Sequence, residues 1–425
     1  MPDQIAAVMA LTTAFVLPIV QVAPSMEVAR VQLVGAKRFA PDDVARLAGV
    51  TVGKTVTLED LNAAAQRLAD TGFFESVKYR YTLAGRRVTV IYDLVEVPWT
   101  IPVSFDNFVW FGSDEVVQAV RKDVPTFDGT LPKSHEMPDL MVRTLQKLLD
   151  SKKIPGRVEF APEATLGGQL IQYIFAVKDP APKLCDVRVA GASAIPAAEL
   201  VTAVRTGTGD DYSGFSVGNV VKGTLTEMYR RRGFWGVSFA PPTTSLTSDP
   251  ACAGVALSLS VTEGVPYAFA AAQWSGNPSI QSSQLETALG MKAGELADSS
   301  KIDAGLRAVR REYGRIGHLA MRSTYTPRLD QGLKQVVFEV QVTEGPQFRM
   351  GTFEMVGLPA PDIETLTKTW RLQPGDPFDE EYAREFQIKE VTALWRARRA
   401  PGKPPQMQTR LDTAKRLVNV RIVAQ

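Results

Sequence analysis

Residues 225–239 read LTEMYRRRGFWGVSF and residues 255–277 read VALSLSVTEGVPYAFAAAQWSGN. Their order decides the fold. The first segment is a helix end, a glycine stop and the start of a strand. A polar loop leads to a second strand from Val255. Glu263-Gly264-Val265-Pro266 is then a tight turn, because glycine tolerates positive φ and proline fixes its own. Tyr267 opens a new strand. These parts recur. Leu68-Ala-Asp-Thr-Gly-Phe-Phe74 repeats Met228-Tyr-Arg-Arg-Arg-Gly-Phe234, and Val309-Arg-Arg-Glu-Tyr-Gly314 repeats it again. Val342-Thr-Glu-Gly-Pro346 repeats Val261-Thr-Glu-Gly264, and Val95-Glu-Val-Pro98 is a looser copy.

A fixed internal period overrides a domain count based on length. The glycine after each first strand marks it: Gly35, Gly191, Gly276 and Gly357. The last two steps are about eighty residues each, and the gap from Gly35 to Gly191 is about twice that. One degenerate repeat, anchored near Gly112, fits in the gap and makes five units. Each reads strand, helix, helix, strand, strand. In the first, residues 28–34 alternate as a half-buried strand does. Pro41 with Asp42 and Asp43 opens a helix. Thr57 caps a second helix, with Asp60 three residues on. The second unit is irregular. Its helices are expected at 113–121 and 141–149, and Phe108, Trp110 and Phe111 read as core.

The helix–Gly–aromatic–strand signature and the Glu-Gly-x-Pro junction resemble the POTRA (polypeptide-transport-associated) repeat. Such repeats form the periplasmic arm of the outer-membrane barrel-assembly and translocation family. The resemblance covers most of the chain and none of that family's β-barrel. It implies an α+β chain, a tandem array of five β-α-α-β-β POTRA-like units. Each would be a three-stranded mixed sheet with two helices on one face. The expected spans are 1–25 for a signal peptide or N-terminal anchor, then 26–97, 98–181 (the degenerate unit), 182–264, 265–345 and 346–425.

If the first and third strands of a unit are neighbours, its second strand is an exposed edge, and edges accept a strand from another chain. Candidate partner-binding edge residues are Val77, Tyr79 and Tyr81; Val237 and Phe239; and Met321 and Tyr325. Inter-repeat junctions fall at Glu96 and Pro98; at Glu263, Gly264 and Pro266; and at Glu344, Gly345 and Pro346. Their prolines favour a semi-rigid arm. Cys185 and Cys252 start the first and last strands of the third unit. The resemblance makes those strands parallel neighbours, which puts the two thiols within disulfide reach. Closing that loop contributes roughly 4 kcal/mol in the chain-entropy model and suits an oxidising compartment. The resemblance implies a non-enzymatic array in the periplasm, associated with the outer membrane through a partner or a barrel. It would bind unfolded outer-membrane proteins or envelope assembly partners. The alternatives are a truncated barrel-assembly protein lacking its barrel and a passive membrane-tethered scaffold.

Composition narrows the chemistry. Net charge is +2, which offers no basic surface for nucleic acid. Arg230-Arg-Arg232 and the basic clusters at 307–311 and 396–399 lie toward helix ends, where cations complement the helix dipole. Two cysteines and two histidines, His135 and His318, give no metal-binding spacing. His318 reads as a surface or edge residue. His135-Glu136 lacks a second histidine, and Pro138 is expected to break any helix there. Residues 206–211 are glycine-rich but read as a turn between helices. No catalytic constellation, cofactor or small-molecule substrate is expected. Residues 5–20 are mostly apolar, interrupted by Thr12, Thr13 and Pro18, and shorter than the roughly twenty residues a membrane span needs. The small residues Ala23-Pro24-Ser25 follow. This fits a signal peptide, although Asp3 and the lack of an early Lys or Arg also fit an uncleaved anchor.

Overall fold

Strand alternation and helix caps explain the elements as they occur in the computed structural model, which describes residues 25–133, 136–249, 251–252, 254–398 and 403–424. The segment expected to be a signal peptide or anchor therefore lies outside the described residues up to position 24, and His135 lies outside them too. The chain falls into two compact units. One is Met1–Lys183 with Asp211–Gly214 and Ser248–Gly254; the other is Leu184–Asp210, Phe215–Thr247 and Val255–Gln425.

The first unit holds two mixed sheets. The first is built from β1 (Met26–Val34), α1 (Pro41–Ala48), β2 (Thr55–Val56), α2 (Leu58–Asp70), β3 (Phe74–Ala84) and β4 (Arg87–Glu96), in strand order β2-β1-β4-β3. β1 runs parallel to β4, and β3 runs antiparallel to it. Val88, Val90, Tyr92 and Leu94 alternate along β4 and are all buried against the helices. Thr57 and Asp60 form a reciprocal capping box at α2, and α1 ends at Gly49 in the left-handed conformation (φ 70°). The second sheet uses β5 (Thr100–Phe105), α3 (Ser113–Asp123), β6 (Thr130–Pro132), α4 (Glu136–Ser151), β7 (Arg157–Ala164) and β8 (Leu170–Lys178), in order β6-β5-β8-β7. Pro138 does not break α4. It sits in the first turn, where the missing N–H has no intrahelical acceptor to lose. One continuous apolar cluster runs through both sheets, with Phe108 inside it and Trp110 and Phe111 packed on it.

The second unit is organised around three sheets. The third sheet of the chain includes β9 (Lys183–Ala190), α5 (Ala197–Thr208), α6 (Gly214–Val220), a π-turn (Val221–Leu225), α7 (Thr226–Arg230), β10 (Ser238–Phe239), β11 (Thr243–Leu246) and β12 (Gly254–Thr262). In the π-turn the Val221 carbonyl accepts both the Thr226 amide, five residues on, and the Thr226 hydroxyl at 2.8 Å. β10 and β11 are two pieces of one strand. They pair antiparallel with residues 261–262 and 255–258 of β12, and the Ala240 amide bonds Ser260 between them. Pro241-Pro242 makes the break, because proline has no N–H to give the ladder. The fourth sheet has β13 (Ala268–Ser275), α8 (Ser282–Leu289), α9 (Ser299–Arg315), β14 (Arg322–Asp330) and β15 (Gln335–Thr343), in order β13-β15-β14. The fifth has β16 (Arg349–Val356), α10 (Ala360–Thr369), α11 (Glu380–Phe386), a second π-turn (Gln387–Thr392), α12 (Ala393–Ala397), β17 (Gln406–Asp412) and β18 (Leu417–Val423), in order β16-β18-β17.

The expected three-stranded sheets differ in one respect. The loop between each pair of helices runs back along the outer side of the first strand. It forms β2 and β6 in the first two sheets and single bridges elsewhere, Lys183 with Asp211, Ala268 with Leu296 and Arg349 with Pro377. The Phe269 amide bonds Glu295 at 2.7 Å and the Gly294 amide bonds Phe269 at 2.8 Å. These contacts occupy outward-facing N–H and C=O groups at the start of each first strand, as far as Val28, Val103, Leu184, Phe269 and Met350. The pieces are too short to carry a periodic signal.

Candidate partner-binding edges and junctions

The first strand's outer side is covered at its start, whereas the second strand has no partner on its outer side among the described residues. β3, β7, β14 and β17 each end their sheet, and β10 and β11 flank β12. Val77, Tyr79 and Tyr81 lie on β3. The Tyr79 hydroxyl donates to Asn62 Oδ1 at 2.6 Å, while Tyr81 is exposed. Phe239 is on β10 and packs edge-on to Tyr229, with ring centroids 6.0 Å apart. Tyr325 is on β14, 5.4 Å from the Phe338 ring. Burial first, then the nearby Asp303 and Glu227 charges, push its hydroxyl up to about 12. Two residues are corrected. Val237 precedes β10, and Met321 precedes β14 with its side chain buried in the core. Each lies one residue outside its strand, and the Met321 amide bonds His318 O at 3.1 Å.

The edges differ in protection. β3 carries Lys78 and Arg80, β14 carries Arg322, Pro327 and Arg328, and β17 carries Arg410. Such residues discourage strand pairing. β11 reads Thr-Thr-Ser-Leu, has no charge, and exposes all four residues. Sequence reading passed over it, because a polar run after two prolines looks like loop. The exposed Leu246 was the one signal available.

The junction glutamates are anchors. Gly35, Gly191 and Gly276 follow β1, β9 and β13 with φ of 86°, 81° and 73°. A Cβ there would meet the carbonyl oxygens of Leu94, Val261 and Val342 at 2.3, 2.1 and 2.2 Å. Only glycine lets each loop close onto the third strand. The glutamate two residues past that carbonyl then takes the loop's amides. Glu96 accepts from the Lys37 and Arg38 N–H groups at 2.7 and 2.8 Å. Glu263 accepts from the Ser193 amide at 2.8 Å, the Ala194 amide at 3.0 Å, the Ser193 hydroxyl at 2.5 Å and the Tyr229 hydroxyl at 2.8 Å. Glu344 accepts from the Ser279 amide at 2.9 Å and hydroxyl at 2.6 Å. Burial opposes charge on Glu263, but the bonds from Ser193, Tyr229 and Ala194 outweigh it and hold the carboxyl down at about 2. In the second sheet Asn107 does the same work from the loop side. Its Oδ1 accepts from the Val177 amide at 2.6 Å and its Nδ2 donates to the Val177 carbonyl at 3.0 Å.

A second contact recurs where the helix pair ends. The carbonyls of Phe73, Gly233 and Gly317 accept the amides of Val97, Tyr267 and Phe348 at 3.0, 2.9 and 2.8 Å. Trp235 then reaches into the core of the fourth sheet, 4.8 Å from the Phe338 ring, with Nε1 donating to Ala297 O at 2.6 Å.

The family described as "Surface antigen variable number repeat" (POTRA) matches residues 26–97 and 267–345. Those two segments carry the POTRA repeat. A curated protein of Treponema pallidum (strain Nichols), named "Putative outer membrane protein assembly factor", is 24% identical over 250 residues, which is 56% of this chain and 29% of that protein. The chain thus spans under a third of that relative's length. Among solved structures, POTRA3-5 of BamA from Haemophilus influenzae aligns with 57% of this chain and 96% of its own, at 17% identity and a TM-score of 0.37. POTRA1-3 of the periplasmic domain of Omp85 from Anabaena aligns with 76% of this chain and 96% of its own, at 12% identity and a TM-score of 0.20.

Within the POTRA repeat at 267–345, the helix-stop glycine is Gly317 (φ 85°), while Gly314 lies inside α9. The sequence match of Gly314 to Gly233 is therefore out by about one helical turn. The correct equivalence pairs Tyr229 with Tyr313 and Phe234 with His318. Both ring pairs are T-shaped with centroids 6.0 Å apart. His318 is buried, contrary to expectation. Nδ1 lies 3.1 Å from Gly345 O and Nε2 lies 3.3 Å from Ser279 Oγ. Both cysteines are disulfide-bonded and neither is free. Among the described residues, no cluster of three or more His, Cys, Asp or Glu is placed to hold a metal ion. No helix among them is long and apolar enough to cross a membrane.

Proposed function

We propose that the chain is an exported, non-enzymatic interaction array of five POTRA-like units at 26–97, 98–181, 182–264, 265–345 and 346–425. It works in the periplasm at the outer membrane and binds unfolded outer-membrane proteins or assembly partners by adding their strands to its open edges. One observation carries this reading: in each sheet the second strand is paired on one side only along its described length, while the start of the first strand is covered by the loop between the helices. Backbone hydrogen bonding at a free edge is tolerant of partner sequence, which suits many clients. β11 is the edge with the least built-in protection. Cys185 and Cys252 pair within one chain and brace the unit that carries it.

The test is photo-crosslinking in cells from single reactive residues at Thr243, Thr244, Ser245 and Leu246. Crosslinks to several outer-membrane precursors support the reading. Crosslinks to one envelope protein alone indicate a dedicated scaffold. A folded, exported protein that crosslinks to nothing from this edge refutes strand addition there. The scaffold reading has its own support in the interlocked Gly233–Trp235 and Gly317–Phe348 junctions, which limit motion between neighbouring sheets.

A further inference from the structure

A cavity of about 440 Å³ lies in the first compact unit, where the loop after β1, helix α1 and the end of α3 with its following loop meet. Three guanidiniums line it, Arg38, Arg46 and Arg121, against two carboxylates, Asp43 and Asp128. The lining therefore carries one net positive charge. Each arginine spends a single nitrogen on the protein. Arg38 Nη2 donates to Asp128 Oδ2 at 2.6 Å and to Thr130 Oγ1 at 3.1 Å, Arg46 Nη2 pairs with Asp43, and Arg121 Nε donates to the Phe127 carbonyl at 3.0 Å. Among the described residues the other nitrogens of these three groups make no hydrogen bond, and Arg121 has no acidic partner. Thr126 gives a second, independent sign. It lines the same cavity, is 4% exposed, and its hydroxyl has no hydrogen-bond partner. A buried hydroxyl loses its hydration, and without a partner nothing offsets that cost; an oxygen of a bound ligand would. The walls are held in place beforehand. Glu96 accepts the Arg38 amide at 2.8 Å, and Phe39 and Phe127 are buried in the continuous apolar cluster of this unit.

We infer that this cavity binds a phosphate group carrying a single negative charge, a phosphodiester. Guanidinium donors from three separate elements, together with a hydroxyl, suit the several acceptor oxygens of a tetrahedral anion better than the two coplanar oxygens of a carboxylate. The net positive charge of the lining balances a monoanion, whereas Asp43 and Asp128 repel the second charge of a phosphate monoester. Soluble phosphodiesters and phospholipid headgroups share this chemistry. The site is separate from the strand edges and does not depend on strand addition.

The probe is glycerophosphoglycerol, titrated calorimetrically into the full-length protein, with inorganic phosphate and acetate as controls at equal ionic strength. Saturable binding of the phosphodiester is expected, at least about fivefold tighter than either control, the scale of one hydrogen bond. Thr126→Val keeps the side-chain shape and removes a hydroxyl that bonds nothing in the free protein. It should weaken binding about fivefold with no loss of thermal stability. Arg46→Gln, at an exposed pair within one helix, should weaken binding severalfold with the fold unchanged. Flotation with phosphatidylglycerol vesicles separates the two sources. Vesicle binding that both substitutions weaken assigns a lipid headgroup, and binding of the soluble probe alone assigns a soluble phosphodiester; either supports the site. No saturable binding of probe or vesicles overturns the proposal, as does acetate binding as tightly as the phosphodiester, or binding that neither substitution changes.

Discussion

Glu263→Gln is the sharpest test of the glutamate anchor. The wild-type carboxylate is buried, yet its pKa is held at about 2 from an ordinary 4.5. At about 1.4 kcal/mol per pKa unit, its ionised form contributes roughly 3 kcal/mol to the native state at neutral pH. Glutamine keeps one acceptor oxygen but turns an NH₂ group toward donors. The expected loss is therefore about 2 to 3 kcal/mol at pH 7. The depressed carboxyl also fixes the pH signature. Its stabilisation is complete above the unfolded value near 4.5, shrinks as pH falls, and is gone once the folded group protonates near 2. Other acids titrate in that window too, but they are common to both proteins and cancel in the difference. Urea unfolding at pH 7 and pH 3, followed by tryptophan fluorescence, measures it. The gap between wild type and variant should at least about halve by pH 3. A gap below about 0.5 kcal/mol at pH 7, or one equal at both pH values, refutes the anchor.

Other outcomes follow from the same geometry. Gly317→Ala places a Cβ 2.2 Å from the Phe348 carbonyl at φ 85°, so it should cost more than about 3 kcal/mol. Gly294→Ala, with φ 88° and nothing within 4 Å, should cost only about 1 kcal/mol; thermal melts of the pair separate clash from conformational strain. Tyr229→Phe removes the 2.8 Å bond to Glu263 and should destabilise by about 1 to 2 kcal/mol, with the Glu263 carboxyl rising in an NMR titration. His318→Phe restores the ring of Phe234 but strands Gly345 O; a loss of about 1 kcal/mol in urea melts is expected, and no loss would mean packing alone matters there. Peptide mapping without reductant should recover Cys185 joined to Cys252, and a double Cys→Ser variant should lose up to about 4 kcal/mol.

Much of the fold was readable from residue order. Thr57 with Asp60 announced the start of α2, alternation along β4 announced its buried face, and the Thr-Glu-Gly turns marked the ends of β12 and β15. The misses share a cause. β2, β6 and the equivalent bridges follow no hydrophobic period, because their groups are satisfied by a strand distant in sequence. Pro138 looked like a breaker because its place in the first turn of α4 is set by where that helix begins. Gly314 and Gly317 are both glycines near a helix end, and only the left-handed turn separates them. His318 looked polar and exposed, but it fills a ring position that Phe234 fills elsewhere.

Local chemistry carried by neighbouring residues was determined by the sequence alone: the period, the element order, the caps and the glycine turns. Each depends on φ preference, side-chain periodicity or a hydrogen bond spanning a few positions. Tertiary structure decided which groups meet across about seventy residues. It made Glu96, Glu263 and Glu344 anchors rather than turn markers, because their partners lie on the loop after a parallel strand. It also decided which strand edge stays open, since a free edge is defined by what does not pair beside it, and no single segment encodes that.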